Sequence, residues 1–248
     1  MRVLLTGASG FIGGHLAAAL ASTGHHVVPL SRRHGVDIAR LSTPAAWRPL
    51  LQGIDAAVNA AGIIGETRSQ RFETLHTRAP VALFQACAEA GVHRVVQISA
   101  LGADERAFSA YHRSKRAADE ALRGLPLQWF VLRPSLVQGP GGTSARLFAL
   151  LARLPLVPVI GDGQQRIQPV HVDDVVETVL RCLTSEPARL TLDVVGPEVF
   201  TFAGWLQRLR AAQGLAPARL LHVPYGAALA LAGLGGALSP MLRAANLR

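Results

Sequence analysis

Lysine is almost absent from this chain. Of 25 basic residues only Lys115 is a lysine, and tyrosine occurs just twice, at Tyr111 and Tyr225. With arginine at every other cationic position, the one remaining lysine marks a place where a wide planar fork cannot stand in for a compact ammonium. Cysteine is limited to Cys87 and Cys182, both inside apolar helical patterns. That excludes a disulfide scaffold and leads to the expectation of buried thiols in a reducing, cytoplasmic compartment. Aromatic residues make up 5% of the chain, and no basic run is longer than Arg32-Arg33. The net charge of +9 is spread over scattered arginines with no interleaved aromatics, so it does not read as a nucleic-acid surface. An anionic cofactor or membrane surface accounts for the sign as well. No secretory leader is expected, because a glycine-rich loop begins at residue 7. The longest apolar run, Tyr225 to Leu242, is rich in glycine, is broken by Pro240 and falls short of a bilayer span. It reads as a buried or interfacial helix, and in the second case it gives the chain a peripheral hold on a membrane.

What is present is alternation. Half of the 248 residues are apolar, ample for a large core. Short apolar runs predict strands at Arg2–Thr6, His26–Leu30, Val36–Ile38, Asp55–Asn59, Arg94–Ser99, Gln128–Leu132, Val157–Ile160 and Leu190–Val194. Helical patterns lie between them at 12–23, 44–51, 72–90, 110–123, 144–152, 173–184 and 202–213. Continuously apolar strands separated by helices predict an α/β fold, a Rossmann-type doubly wound parallel sheet with a small irregular C-terminal substrate lobe. Proline and glycine become denser after residue 133, which sets the expected boundaries. Residues 1–134 form the dinucleotide-binding core, with 170–195 returning to the sheet, and 135–169 with 196–248 form the smaller lobe.

The chemistry-bearing residues sit at the ends of those strands. The first strand runs into Thr6-Gly7-Ala8-Ser9-Gly10-Phe11-Ile12-Gly13. Gly7 suits a tight turn, Gly10 a close backbone approach to a pyrophosphate, and Gly13 close helix–strand packing. The helix that follows offers free N–H groups and a positive dipole end. Gly7, Ser9, Gly10, Phe11, Ile12 and Gly13 are therefore candidate cofactor contacts, the alternative being a glycine-rich turn with no ligand. The second strand ends in Ser31-Arg32-Arg33, with no carboxylate before Asp37, which favours NADP (NADPH) over NAD unless an arginine merely caps the sheet. Ala60, Ala61 and Gly62, after Asn59, leave room for a ligand against the backbone or simply make a tight exit. Ser99 ends the next strand twelve residues before Tyr111, as a carbonyl-polarising hydroxyl or an ordinary cap. Tyr111 and Lys115 are four apart and share a helical face. An ammonium beside a phenol favours the phenolate, so Lys115 is expected to lower the pKa of Tyr111 and make it a general acid/base, the alternative being a solvated lysine and a half-buried tyrosine on an ordinary helix.

Taken together these residues resemble the short-chain dehydrogenase/reductase superfamily. The glycine spacing at 7, 10 and 13, the N-A-A-G at 59–62, the Y-x-x-x-K at 111–115 and Arg133-Pro134 look like its extended and atypical branches. Gly161-Asp162-Gly163 and the stretch from Pro169 to Val175 do so as well. The short Ser-Ala-Leu-Gly loop at 99–102 is most similar to the atypical group around the NDUFA9-type subunit of respiratory complex I. The resemblance covers about residues 1–220 and implies a nicotinamide dinucleotide cofactor. Tyr111 would exchange a proton with the substrate oxygen, Lys115 would hold the nicotinamide ribose, and Ser99 would polarise the carbonyl. Asp37 and Ile38 would flank the adenine, and Pro134 and Ser135 the nicotinamide. The family's helical asparagine, which helps relay protons, is missing, with His76 or Thr77 in its neighbourhood. Members of this group usually continue further, which implies a shortened version here. The expected function is an oxidoreductase acting on an apolar carbonyl/alcohol pair of unknown identity. The alternatives are a non-catalytic NADPH-binding structural subunit, or an epimerase or dehydratase that oxidises its substrate transiently.

Overall fold

Short apolar runs that end in glycine or polar turns have no length for a helix and pair as strands instead. In a computed structural model of the chain, which describes residues 1–224 and 226–227, β1 (Arg2–Thr6), β2 (His26–Leu30), β3 (Ala56–Asn59), β4 (Arg94–Ile98) and β5 (Gln128–Pro134) alternate with helices. β1, β3, β4 and β5 bury side chains on both faces, as strands of a covered parallel sheet do. A sixth strand, β10 (Leu190–Val194), joins beside β5. The order is β10-β5-β4-β3-β1-β2, every pairing parallel. Helices α1 (Phe11–Ser22) and α6 (Val172–Thr184) pack together. A core formed by Leu4, Ala57, Val95 and Trp129 packs against α2 (Pro44–Trp47), α3 (Ala79–Ala90) and α4 (Ala110–Arg123). The chain leaves β1 for β2 and then returns to β3 on β1's other side. That reversal opens a crevice at the carboxyl ends of β1 and β3.

One row of the register sits just below this crevice. Thr6, Asn59 and Gln97 are neighbours across β1, β3 and β4, and all are buried. The Thr6 hydroxyl donates to Asn59 Oδ1, and Asn59 Nδ2 donates to Gln97 Oε1 at 2.6 Å. The polar row ties three strand ends together at the level from which the site loops depart.

Three expected elements come out differently. Val36–Ile38 is not a strand: Gly35, with φ +77, closes the 3-10 turn Arg32–His34, and a second such turn occupies Ile38–Arg40. Three residues flanked by turns gain more by sending Ile38 into the core, with Asp37 capping Ala39, than by pairing. The helical stretch 72–90 is a π turn at Glu73–Arg78 followed by α3. Pro80 has no N–H to give and its ring crowds the carbonyl of residue 76, so the helix widens before it. The stretch 44–51 likewise divides into α2 and a 3-10 turn, Arg48–Leu51, that contains Pro49.

The second compact unit comprises Ser135–His171 and the described residues from Val195 onward. In it β6 (Val137–Gln138) pairs with β9 (Val170–His171), and β8 (Arg166–Ile167) with β11 (Phe200–Thr201). The predicted strand at Val157–Ile160 is present as β7 (Leu156–Ile160), but it pairs with β12 (Arg219–Val223) and not with the main sheet. Together with α5 (Thr143–Arg153) and α7 (Phe202–Ala212) it surrounds a small core of Val157, Val159, Phe202, Ala203 and Leu206. Among the described residues no helix is long and apolar enough to cross a membrane. Except for Gly226 and Ala227, the apolar run Tyr225–Leu242 lies outside them.

Candidate active site

The turn after β1 is built from backbone. Gly7 has φ +67, and a Cβ on it would stand 2.6 Å from the Ala60 carbonyl oxygen. The loops after β1 and β3 therefore touch at the crevice. A Cβ on Gly13 would come within 2.1 Å of the Gly7 carbonyl, which is how closely α1 presses on the turn. Gly10 donates its N–H to Gly7 at 2.8 Å, and a Cβ on it would meet only that same carbonyl, at 3.1 Å. α1 begins at Phe11 with no side-chain cap, so the N–H groups of Phe11, Ile12 and Gly13 find no partner within the helix. Ser9 beside them is exposed.

At the end of β2, Ser31 is buried and its hydroxyl contacts His34 Nδ1 at 2.7 Å. Arg32 and Arg33 follow, both exposed. Asp37 accepts from the Ala39 N–H and pairs with Arg40 at 3.6 Å, while Ile38 is buried in the core.

Ser109 caps α4 by accepting the His112 N–H at 3.1 Å, which sets the phase of the helix. Tyr111 follows in the first turn, half-buried, with Phe72, His76 and His112 edge-on to it at ring separations of 5.8, 5.4 and 5.1 Å. One turn on, Lys115 is only 5% exposed, and Nζ donates to the Ile98 carbonyl at 3.0 Å. A Cβ on Gly62 would lie 3.2 Å from that ammonium, so Lys115 and the loop after β3 nearly touch. Burial pushes the Tyr111 phenol up to about 12 and the Lys115 ammonium down to about 8. The expected lowering of the tyrosine by its lysine is corrected here: loss of water around the phenol raises it instead.

Ser99 also differs from expectation. It is buried just past β4, and its hydroxyl donates at 2.5 Å to Oδ2 of Asp119, one turn beyond Lys115. Its proton is spent below the site and is not offered at its mouth. Asp119 is fully buried, and desolvation lifts its carboxyl to about 6 against the pull of Ser99, Lys115, Arg123 and Arg133. The only sequence signal for this group is its i, i+4 spacing from Lys115. Pro134 is buried at the end of β5, its carbonyl accepting the Leu101 N–H at 2.9 Å. Ser135 belongs to the second unit, where it donates to the Gln168 carbonyl. His76 fills the space beside Tyr111 and Gly62, and Thr77 donates to the Ser114 carbonyl at 3.0 Å. Among the described residues no group of three or more His, Cys, Asp or Glu could hold a metal ion.

The chain is similar to proteins of known family. A ceramide reductase of Caulobacter vibrioides is 31% identical over 235 residues, covering 90% of this chain and 73% of that protein. Subunit 9 of the mouse NADH dehydrogenase [ubiquinone] 1 alpha subcomplex is 29% identical over 215 residues, and the chain spans 55% of its length. Among solved structures, MoeE5 in complex with UDP-glucuronic acid and NAD superposes with a TM-score of 0.74 at 25% identity, over 90% of this chain and 86% of that one. The model of the NAD dependent epimerase/dehydratase family matches residues 3–193, and the chain belongs to that family.

Proposed function

We propose that the chain is an NADP(H)-dependent oxidoreductase that reduces a carbonyl on an apolar substrate, with Tyr111 as proton donor. The carrying observation is one turn of α4. A half-buried phenol stands one turn before a buried ammonium, and the ammonium lies over a glycine loop that touches the turn after β1. The residues fit a dinucleotide. The crowding at Gly7 and Gly13 leaves a bare backbone turn, and the first N–H groups of α1 would hold a pyrophosphate. Arg32 and Arg33, exposed at the end of β2, would take a ribose 2′-phosphate. Ala60 to Gly62 would carry the ligand against backbone. Lys115 gives one of its three protons to Ile98 and would offer the others to ribose hydroxyls. Bound there, the nicotinamide supplies hydride transfer.

The protonation states favour reduction. A phenol pushed up to about 12 stays protonated at neutral pH, so it is ready to give its proton to a forming alkoxide. Lys115, at about 8, is mostly charged at pH 7 and steadies the phenolate as that proton leaves. Three exposed apolar side chains, Ile64, Leu101 and Phe108, stand in the loops next to Tyr111's neighbours, which supports an apolar substrate. The 31%-identical relative is named for a lipid, ceramide. Peripheral membrane association through Tyr225–Leu242 belongs to the same proposal, and sedimentation with anionic vesicles tests it.

A binding-only subunit is the second reading. It is favoured by the commitment of Ser99 to Asp119, which leaves the carbonyl without that hydroxyl. Oxidation of NADPH against a panel of long-chain ketones, in wild type and Tyr111→Phe, separates the two. Turnover that falls at least about a hundredfold in the variant supports the reductase, as expected for loss of a general acid. NADPH bound tightly but never oxidised, with the variant indistinguishable, overturns it.

A further inference from the structure

We infer that His76, held in one tautomer by two opposed hydrogen bonds, is the positioning residue that fixes the Tyr111–Lys115 turn against the loop Ala60–Ile63. The ring is 1% exposed. On one side the Ile63 backbone N–H donates to Nε2 at 3.0 Å. A backbone amide can only donate, so Nε2 carries no proton and Nδ1 must. On the other side Nδ1 lies 3.0 Å from Ser114 Oγ. That hydroxyl gives its own proton to the Tyr111 carbonyl at 2.7 Å, which leaves its oxygen to accept from Nδ1. The directions agree at every link. The chain of bonds runs from the loop after β3, through the imidazole, to the serine that directly precedes the lysine of the Y-x-x-x-K turn.

Two further contacts make this a clamp. Thr77, the next residue, donates to the Ser114 carbonyl at 3.0 Å, so consecutive side chains of the π turn hold the hydroxyl and the backbone of the residue preceding Lys115. Phe72 stacks on the imidazole at 5.1 Å and 22°, and the Tyr111 ring stands at 84° to it with centroids 5.4 Å apart. His76 Nε2 and Lys115 Nζ both crowd the space over Gly62, at 3.3 and 3.2 Å from where its Cβ would be. The ring and the ammonium therefore share the space above the same glycine. Both ring nitrogens are committed, so His76 relays no proton. It replaces the relay expected of the missing asparagine with a fixed spacer.

The consequence for cofactor affinity rests on the proposed function, but the clamp is measurable without it. In full-length protein labelled with 15N-histidine, His76 is expected as the Nδ1-protonated, Nε2-bare imidazole at pH 7.5. The Ile63 amide should be protected from hydrogen exchange, and protection should be lost in His76→Phe and retained in His76→Asn, whose amide can still accept and donate. With NADPH as probe, His76→Phe should weaken binding about tenfold, measured at a temperature where the variant is folded, roughly the effect of one positioned hydrogen bond. His76→Asn should recover most of that, and Thr77→Val should lose about threefold. A proton on Nε2, or wild-type exchange at Ile63 in His76→Phe, overturns the inference. So does wild-type NADPH affinity in both Thr77→Val and a folded His76→Phe. If His76→Phe fails to fold, the tautomer and Thr77→Val decide. If the wild type does not bind NADPH at all, the proposed function fails and the tautomer with Ile63 exchange still judges the clamp.

Discussion

At the scale of single residues, burial dominates the electrostatics of this site. Lys115 and Asp119 are four apart on α4, both removed from water, yet each is shifted toward its neutral form. Their attraction offsets only part of the desolvation, as is general for buried ionisable groups. The sign for stability follows. Asp119 has its folded value raised from 3.8 to about 6, so its contribution is fully present below 3.8 and is lost as pH rises through 6. Asp119→Asn, which can still accept from Ser99, removes that loss. Urea unfolding at pH 4 and pH 6.5 should therefore show the variant gaining on wild type as pH rises. Lys115 makes a second prediction. An arginine there must fit a planar fork where a Gly62 Cβ would already be 3.2 Å from the ammonium. Lys115→Arg is expected to weaken NADPH binding by at least about tenfold in a fluorescence titration.

At the scale of elements, the π turn matters most. Pro80 interrupts the ladder of hydrogen bonds, and the widened turn before it brings both His76 and Thr77 to Ser114. Pro80→Ala restores an N–H able to bond the His76 carbonyl and lets the segment close into an α-helix. The expected result is loss of Ile63 amide protection and several-fold weaker NADPH binding, with little change in helix content by circular dichroism. The apolar periodicity of 72–90 is the same for an α-helix as for a π turn running into one, so it could not disclose this. Pro80 was the signal, and it has weight only when the i−4 bond is followed explicitly. Val36–Ile38 fails as a strand for a related reason. Its apolar run is real, but Gly35 and the cap at Asp37 claim the backbone locally.

At the scale of the whole molecule, the sheet and the glycine turn depend on one another. α1 lies so close to the turn that a Cβ on Gly13 would sit 2.1 Å from the Gly7 carbonyl. Gly13→Ala must push α1 off the sheet, and α1 also packs on α6. Overpacking of this kind costs about 1–3 kcal/mol, which should appear as a lowered urea midpoint with an unchanged slope.

Strands β1, β2, β4, β5 and β10, helix α4 and the glycine spacing were readable in the linear pattern. Each rests on local periodicity and on turn residues that need no distant partner. The model of the NAD dependent epimerase/dehydratase family matches residues 3–193, the stretch that holds those motifs. Only the folded chain decides what the site residues do. Ser99 turns to Asp119 twenty positions away, and the Tyr111 phenol rises because Phe72 and His76 close over it from a different helix. His76 acquires its tautomer from an amide and a hydroxyl 51 residues apart in sequence. Hydrogen-bond direction and desolvation belong to groups that meet across the fold, and neither leaves a periodic trace along the chain.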